Sequence, residues 1–365
     1  MPLSSTDLLR LFLSELTRQN IPYVVLHSYE GLFRQIDSDV DYAVRTEDLS
    51  KLVSLQQTLA AKHGFCLAQA LEAHIFSLNT VLISPTDPQV FIQLDACSHY
   101  AENSALLLPE NLLLRDRRQS GDLFNPAPEV EFAYLLSKCL AKRTRLEEKM
   151  PRLRELHRLA PKETAAQFER PVGASHGPLN QWIDKPAAEW SELREPMLRR
   201  HRFSLKERWL EMKRAVSRVA QPKGLHIALI GGGADFNSKV CALVHARLVK
   251  ALFRRGQIEP LARLSVARSL QQVLPAKVRN ELIISFADSL ESAHAQGTLT
   301  LGPLQTLDLI FERQSSEVAS PGGETWRTAR GYRKIAGALT IEHAADLIVR
   351  ETIEFLADRG TRADS

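Results

Sequence analysis

Paired cysteines are missing from this sequence. Four cysteines occur in 365 residues, Cys66, Cys97, Cys139 and Cys241, and no two share the C-x-x-C spacing. Their scatter argues against a zinc site and against a disulfide framework, and it fits a reducing compartment. Long apolar runs are missing too. No stretch approaches the roughly 20 residues that a membrane-spanning helix needs. The opening segment, MPLSSTDLLRLFLSELTRQ, breaks its apolar pattern with Asp7, Arg10 and Glu15. It reads as a capped amphipathic helix rather than a signal peptide, so a cytoplasmic protein is expected. Charge of one sign is also lacking. Against 43 acidic residues stand 47 Lys and Arg, a net charge of +4. That balance is too slight to imply nucleic acid, and no specific nucleic-acid partner is expected. What remains is an ordinary globular composition, 44% hydrophobic and 25% charged, long enough for two domains with sizeable cores.

The most informative stretch is Ile21 to Val44, IPYVVLHSYEGLFRQIDSDVDYAV. Tyr23 to Leu26 is apolar and β-branched and reads as a buried strand ending in His27-Ser28. A turn-like segment follows, and then a second strand carrying Asp39 and Asp41. Two residues apart on a strand, both carboxylates share one face. Like charges so placed repel each other, and a divalent cation between them relieves the repulsion. Asp37, just ahead, is expected to be a turn or cap residue. A third carboxylate, Asp95, closes the alternating strand VFIQLDACS. Three acids on two strands would suit a metal site for in-line phosphoryl displacement.

Strand, Ser-containing turn, D-x-D and a later strand Asp together resemble the nucleotidyltransferase domain of the polymerase-beta type. The resemblance covers the first third of the chain. It implies that Asp39, Asp41 and Asp95 are the metal-ligating and catalytic acids, with Mg²⁺ or Mn²⁺ as cofactor and a nucleoside triphosphate as substrate. It also implies that Ser28 contacts phosphates. His27 stands where that family has Gly, a departure that bears on how closely backbone and triphosphate approach; His27 is itself a candidate phosphate or substrate contact, its plain alternative a satisfied structural histidine. A Lys on a following helix reaches the phosphates in such families, a role that would fall to Lys138; the plain alternative is a solvated lysine. His99 is a weaker candidate for assisting a base.

In order along the chain, helices are expected at Thr6 to Arg18 and Thr46 to Lys62, the second closed by His63-Gly64. Strands are expected at 65–73 and 74–83. Glu129 to Leu159 reads as one long helix interrupted at Pro151. Residues 160–222 read as a helical connector. Its segment 199–219, with Arg199-Arg200-His201-Arg202 ahead of an amphipathic basic stretch, would suit an anionic membrane surface, or a linker docked between domains.

At Pro222-Lys223-Gly224 the pattern resets. LHIALI, Leu225 to Ile230, reads as a buried parallel strand. Gly231-Gly232-Gly233 follows, and then a helix over Val240 to Arg255. This is the context of a P-loop, G-x-x-x-x-G-K-[ST]. Starting at Gly231, the second Gly falls on Phe236 and the Lys on Asn237; Ser238 alone fits. A strand is expected near Leu307 to Arg313. Arg327, Arg330, Tyr332 and Arg333 are placed on a helix, and a last helix on Glu342 to Leu356. This order is similar to a thymidylate-kinase-like domain with a degenerate phosphate loop. The whole arrangement resembles two-domain proteins associated with bacterial surface-polysaccharide synthesis.

The expected fold class is α/β: a mixed α+β nucleotidyltransferase-like domain over 1–125, a helical extension over 126–222, and a parallel-sheet kinase-like domain over 223–365. The expected function is transfer of a nucleoside monophosphate to a sugar, a glycan intermediate or a protein, in the cytoplasm or at the inner face of the inner membrane. The alternative is a catalytically inactive nucleotide-binding or scaffold protein of a polysaccharide assembly system.

Overall fold

The computed structural model describes residues 3–36, 38–143, 146–220, 224–253, 255–260, 276–277, 279–287, 308–313, 331–335 and 339–362. The fold is α/β, with one mixed and one parallel sheet of five strands each. The chain divides into two compact units. One comprises Met1–Leu59, Ala70–Thr80 and Ile92–Arg214; the other comprises Ala60–Gln69, Val81–Phe91 and Ala215–Ser365.

The chain opens with α1 (Ser5–Arg18), β1 (Tyr23–Val25), β2 (Val40–Val44), α2 (Thr46–His63), β3 (Cys66–His74), β4 (Ser77–Ile83) and β5 (Phe91–Cys97). Ser4 and Asp7 form a reciprocal capping box that starts α1. The helix then buries Leu8, Leu9, Phe12, Leu13 and Leu16, and Phe12 meets Tyr42 of β2 edge-on. The sheet order is β1-β2-β5-β4-β3. β2 runs antiparallel to β1 and parallel to β5, with Asp41 directly opposite Asp95.

After β5 come β6 (Tyr100–Glu102), β7 (Ala105–Leu108), α3 (Glu110–Leu113), β8 (Arg118–Ser120), β9 (Leu123–Asn125), α4 (Pro128–Lys142), α5 (Leu146–Leu159), α6 (Pro161–Val172), α7 (Ala187–Trp190), α8 (Arg194–Arg200) and α9 (Leu205–Ala220). Pro128 occupies the first turn of α4, where its missing N–H costs nothing. The break expected at Pro151 lies elsewhere. α4 ends at Lys142 with Arg143 in the left-handed region (φ 53), and α5 runs through Pro151, forgoing a single backbone hydrogen bond there. α4 is buried along nearly its whole length, in one core with Phe168, Trp182 and Trp190.

The second sheet holds β10 (Leu225–Ile230), β11 (Gly256–Pro260), β12 (Leu282–Ala287), β13 (Leu309–Arg313) and β14 (Gly331–Ile335) in the order β11-β12-β10-β13-β14, all pairings parallel. The helices α10 (Ala234–Ala251) and α11 (Ile341–Arg362) accompany it. β11 and β12 are not anticipated from the sequence, although LIISFA carries the same apolar signal as LHIALI. Tyr332 and Arg333, expected on a helix, lie on β14, where Phe311 pairs with Arg333. Pairing with β13 overrides the helix that the kinase-like order implied. Arg327, Arg330 and Asp37 lie outside the described residues.

Candidate active site

The carboxylates come together as the pattern implies. One oxygen from each of Asp39, Asp41 and Asp95 lies within 4.8 Å of the other two. Asp39 precedes β2 and is exposed, Asp41 is buried within it, and Asp95 is half-buried on β5. The parallel register is what places Asp41 beside Asp95. Burial pushes the Asp95 carboxyl up to about 7, and the charges of Asp41 and Asp39 add to the effect.

Asp41 is the most heavily engaged group. Lys138 Nζ donates to both its oxygens, at 2.9 and 2.8 Å. Tyr134 Oη donates to Oδ1 at 3.0 Å, and His27 Nε2 lies 2.8 Å from Oδ2. Burial alone would raise this carboxyl, but the His27 hydrogen bond and the Lys138 and His27 charges overcome it and hold it well below the usual carboxylate range. Lys138 is thus not a solvated lysine. It faces the acids from α4, its ammonium also 3.0 Å from His27 Nε2.

His27 links the acids to the turn. Its Nδ1 lies 2.7 Å from Ser28 Oγ, and its ring stacks on Tyr134 with centroids 5.7 Å apart. With Nε2–H donating to Asp41, a neutral ring accepts from the Ser28 hydroxyl at Nδ1 and a protonated ring donates to it. Ser28 has φ 56, the left-handed conformation that a non-glycine residue seldom adopts. Beyond it opens a pocket of about 150 Å³ lined by Tyr29, Glu131, Lys149 and Arg152 together with His27 and Ser28. Arg152 donates to both oxygens of Glu131 at 2.8 Å and to Tyr29 Oη at 2.8 Å, while Tyr29 Oη donates to Glu131 at 2.6 Å.

Tyr134, Glu131, Lys149 and Arg152 are absent from the sequence-derived site. A signal for two of them was there: Glu131, Tyr134 and Lys138 recur at helical spacing and form a polar stripe on an otherwise apolar helix. His99 does not join the acids in any described contact. It stacks on Phe76 at 4.5 Å, and its Nδ1 meets Ser98 Oγ at 3.1 Å.

The glycine turn of the second unit is a different matter. Only Gly231, Gly232 and Gly233 separate β10 from α10, which starts at Ala234 rather than at Val240. Ser238 is exposed within the helix. Asn237, at the lysine register, is buried and donates to Ala287 O at 3.3 Å. The Arg313 guanidinium lies 3.7 Å over the Phe236 ring. A Cβ on Gly231 would come within 2.8 Å of Arg313 O, so close backbone packing explains that glycine without a phosphate.

Comparison with protein-family models, with curated proteins and with solved structures found no match.

Proposed function

We propose that the first unit is a nucleotidyltransferase that uses Mg²⁺ or Mn²⁺ and moves a nucleoside monophosphate from a nucleoside triphosphate to an acceptor. The observation that carries this reading is the convergence of Asp39, Asp41 and Asp95 within 4.8 Å beside the Ser28 turn. An all-carboxylate donor set with this much mutual repulsion fits a hard divalent cation, held by the three aspartates. Such a cation supplies charge neutralisation and alignment of the attacking and leaving oxygens.

The chain's own groups account for the remaining steps. The Ser28 hydroxyl, turned from His27 Nδ1, and the backbone N–H groups of its turn donate to the outgoing phosphates. Lys138 stands 2.8 Å from Asp41 and can turn its ammonium to the same phosphates once Asp41 is otherwise neutralised. Lys149 extends the positive lining of the adjoining pocket. Asp95 takes the proton from the acceptor hydroxyl. The freed oxygen attacks the α-phosphorus, the bond to the bridging oxygen breaks, and pyrophosphate leaves. The acceptor is a sugar, a glycan intermediate or a protein side chain, and the likeness to polysaccharide-associated proteins favours the first two.

One observation favours a second reading, a non-catalytic nucleotide-binding or scaffold protein. The Lys138 ammonium already neutralises Asp41, as a resident cation would. The deciding experiment incubates the protein with each α-labelled nucleoside triphosphate and Mg²⁺ or Mn²⁺, beside the double variant Asp39→Asn, Asp41→Asn. Binding and pyrophosphate release that need both aspartates support transfer. Binding without release under any condition supports the scaffold.

A further inference from the structure

The helix α9 presents its faces in reverse. A helix on a globular protein normally buries its apolar stripe and exposes its charges. Here the protein-facing side is polar. Glu207 caps the helix through Ser204, its Oε2 accepting from Ser204 N at 2.6 Å. One turn on, Glu211 accepts from Ile75 N at 2.8 Å. Arg214 donates to Glu211 at 2.8 Å and to Glu72 O at 3.1 Å. Residues 207, 211 and 214 fall on one side of the helix at about 3.6 residues per turn.

The opposite side carries Leu205, Trp209 and Met212, at the same spacing. They are 84%, 56% and 51% exposed, and Leu210 on the flank is 39% exposed. Lys206 and Lys213 border this stripe on one side and Arg208 on the other, all three exposed. Arg199, Arg200 and Arg202 precede the helix and are exposed as well. The two carboxylates of residues 196–217, Glu207 and Glu211, both lie on the anchored side. The outward surface is therefore an apolar ridge between two cationic borders, with a tryptophan in the ridge.

We infer that α9 is a docking surface for an anionic phospholipid bilayer, lying in the plane of the interface. The ridge enters the boundary between headgroups and acyl chains, and the lysines and arginines reach lipid phosphates on either side. Tryptophan is the side chain best suited to that depth. Charge complementarity selects this occupant over a second copy of the chain, whose identical cationic borders would repel. The ridge selects it over a soluble acidic polymer, which gives an apolar surface nothing to bury.

The test is sedimentation of the full chain with vesicles of phosphatidylcholine alone and of phosphatidylcholine mixed with phosphatidylglycerol. Co-sedimentation is expected with the mixed vesicles only, weakening as salt is raised. The variant Trp209→Ser, Met212→Ser removes the ridge at exposed positions, and Lys206→Gln, Arg208→Gln, Lys213→Gln removes the borders. Each is expected to lower the partition constant, the second by about fivefold for each cation lost. The inference is overturned if neither vesicle binds, or if both variants bind as the parent does. It is equally overturned if light scattering shows a dimer that the ridge variant dissolves. Binding of dextran sulfate that the ridge variant leaves intact, without vesicle binding, would assign the surface to an acidic polymer instead.

Discussion

The Lys138 ammonium touches both oxygens of Asp41, where a divalent cation would also bind. Two consequences follow for a lysine that is only about one-fifth exposed. Lys138→Met leaves Asp41 with His27 and Tyr134 but without its full positive charge, and with Asp95 opposite. The variant is expected to be about 2 kcal/mol less stable in chelator, a loss that saturating Mg²⁺ or Mn²⁺ restores. Urea denaturation with and without the metal checks this. Asp95 is the converse case. Its folded-state value of about 7 lies above the ordinary 3.8, so the folded state holds this proton more tightly than the unfolded chain does. Stability is therefore lost as pH rises from about 4 to 7, and the loss is complete above 7. Asp95→Asn removes that loss. In metal-free protein the variant should melt higher than the parent at pH 8, by about 2–4 °C for each kcal/mol of a loss on the order of 4 kcal/mol. At pH 4 the two should melt together. Equal melting curves at both pH values would show that Asp95 is not under electrostatic pressure.

At the scale of elements, α4 and α5 hold the site through one buried ion pair. Glu131 is nearly inaccessible, and Arg152 satisfies it with two hydrogen bonds while reaching Tyr29 beside the Ser28 turn. Removing the cation strands a buried carboxylate, so Arg152→Met is expected to cost about 3 kcal/mol in urea denaturation. Glu131→Gln added to it should recover part of that cost. The elements that position the acids were legible because their signals are local. Alternation around Asp95 and the Asp39/Asp41 spacing are properties of single strands, and the helical repeats of α1 and α2 are properties of single helices. The register that sets Asp41 against Asp95 is not local, and the sequence could only make it plausible. Arg152 is not legible for the same reason: it reaches the site through a partner 123 residues away. The helix breaks at Arg143 rather than at Pro151: proline is the louder local signal, whereas a left-handed arginine has none. Tyr332 and Arg333 lie on a strand where the kinase-like order implies a helix, because the pairing of β14 with β13 is not a local property of the sequence.

For the whole molecule, the question is whether the proposed nucleotide site has a counterpart in the second unit. The second unit has β10 in the middle of a parallel sheet with neighbours on both sides, and ligands of such sheets lie at the carboxyl ends of the strands. Its glycine turn stands at that end of β10. Yet a cradle of the P-loop type needs a longer loop of free backbone N–H groups and a lysine, and here the helix begins after three residues. Asn237 is turned into the sheet edge at Ala287, and the Arg313–Phe236 stack lies against the turn. Ser238 is left on the helix surface without the loop that would give its hydroxyl a phosphate to meet. Among the described residues one candidate nucleotide site is therefore expected, the proposed one at Asp39, Asp41 and Asp95. Titration of the full chain with the preferred nucleoside triphosphate and Mg²⁺ should give a stoichiometry near one. Asp39→Asn with Asp41→Asn should weaken binding at least tenfold, and Ser238→Ala should leave it unchanged. A second equivalent of nucleotide that survives the aspartate changes and is lost with Ser238→Ala would place a working phosphate site in the second unit after all.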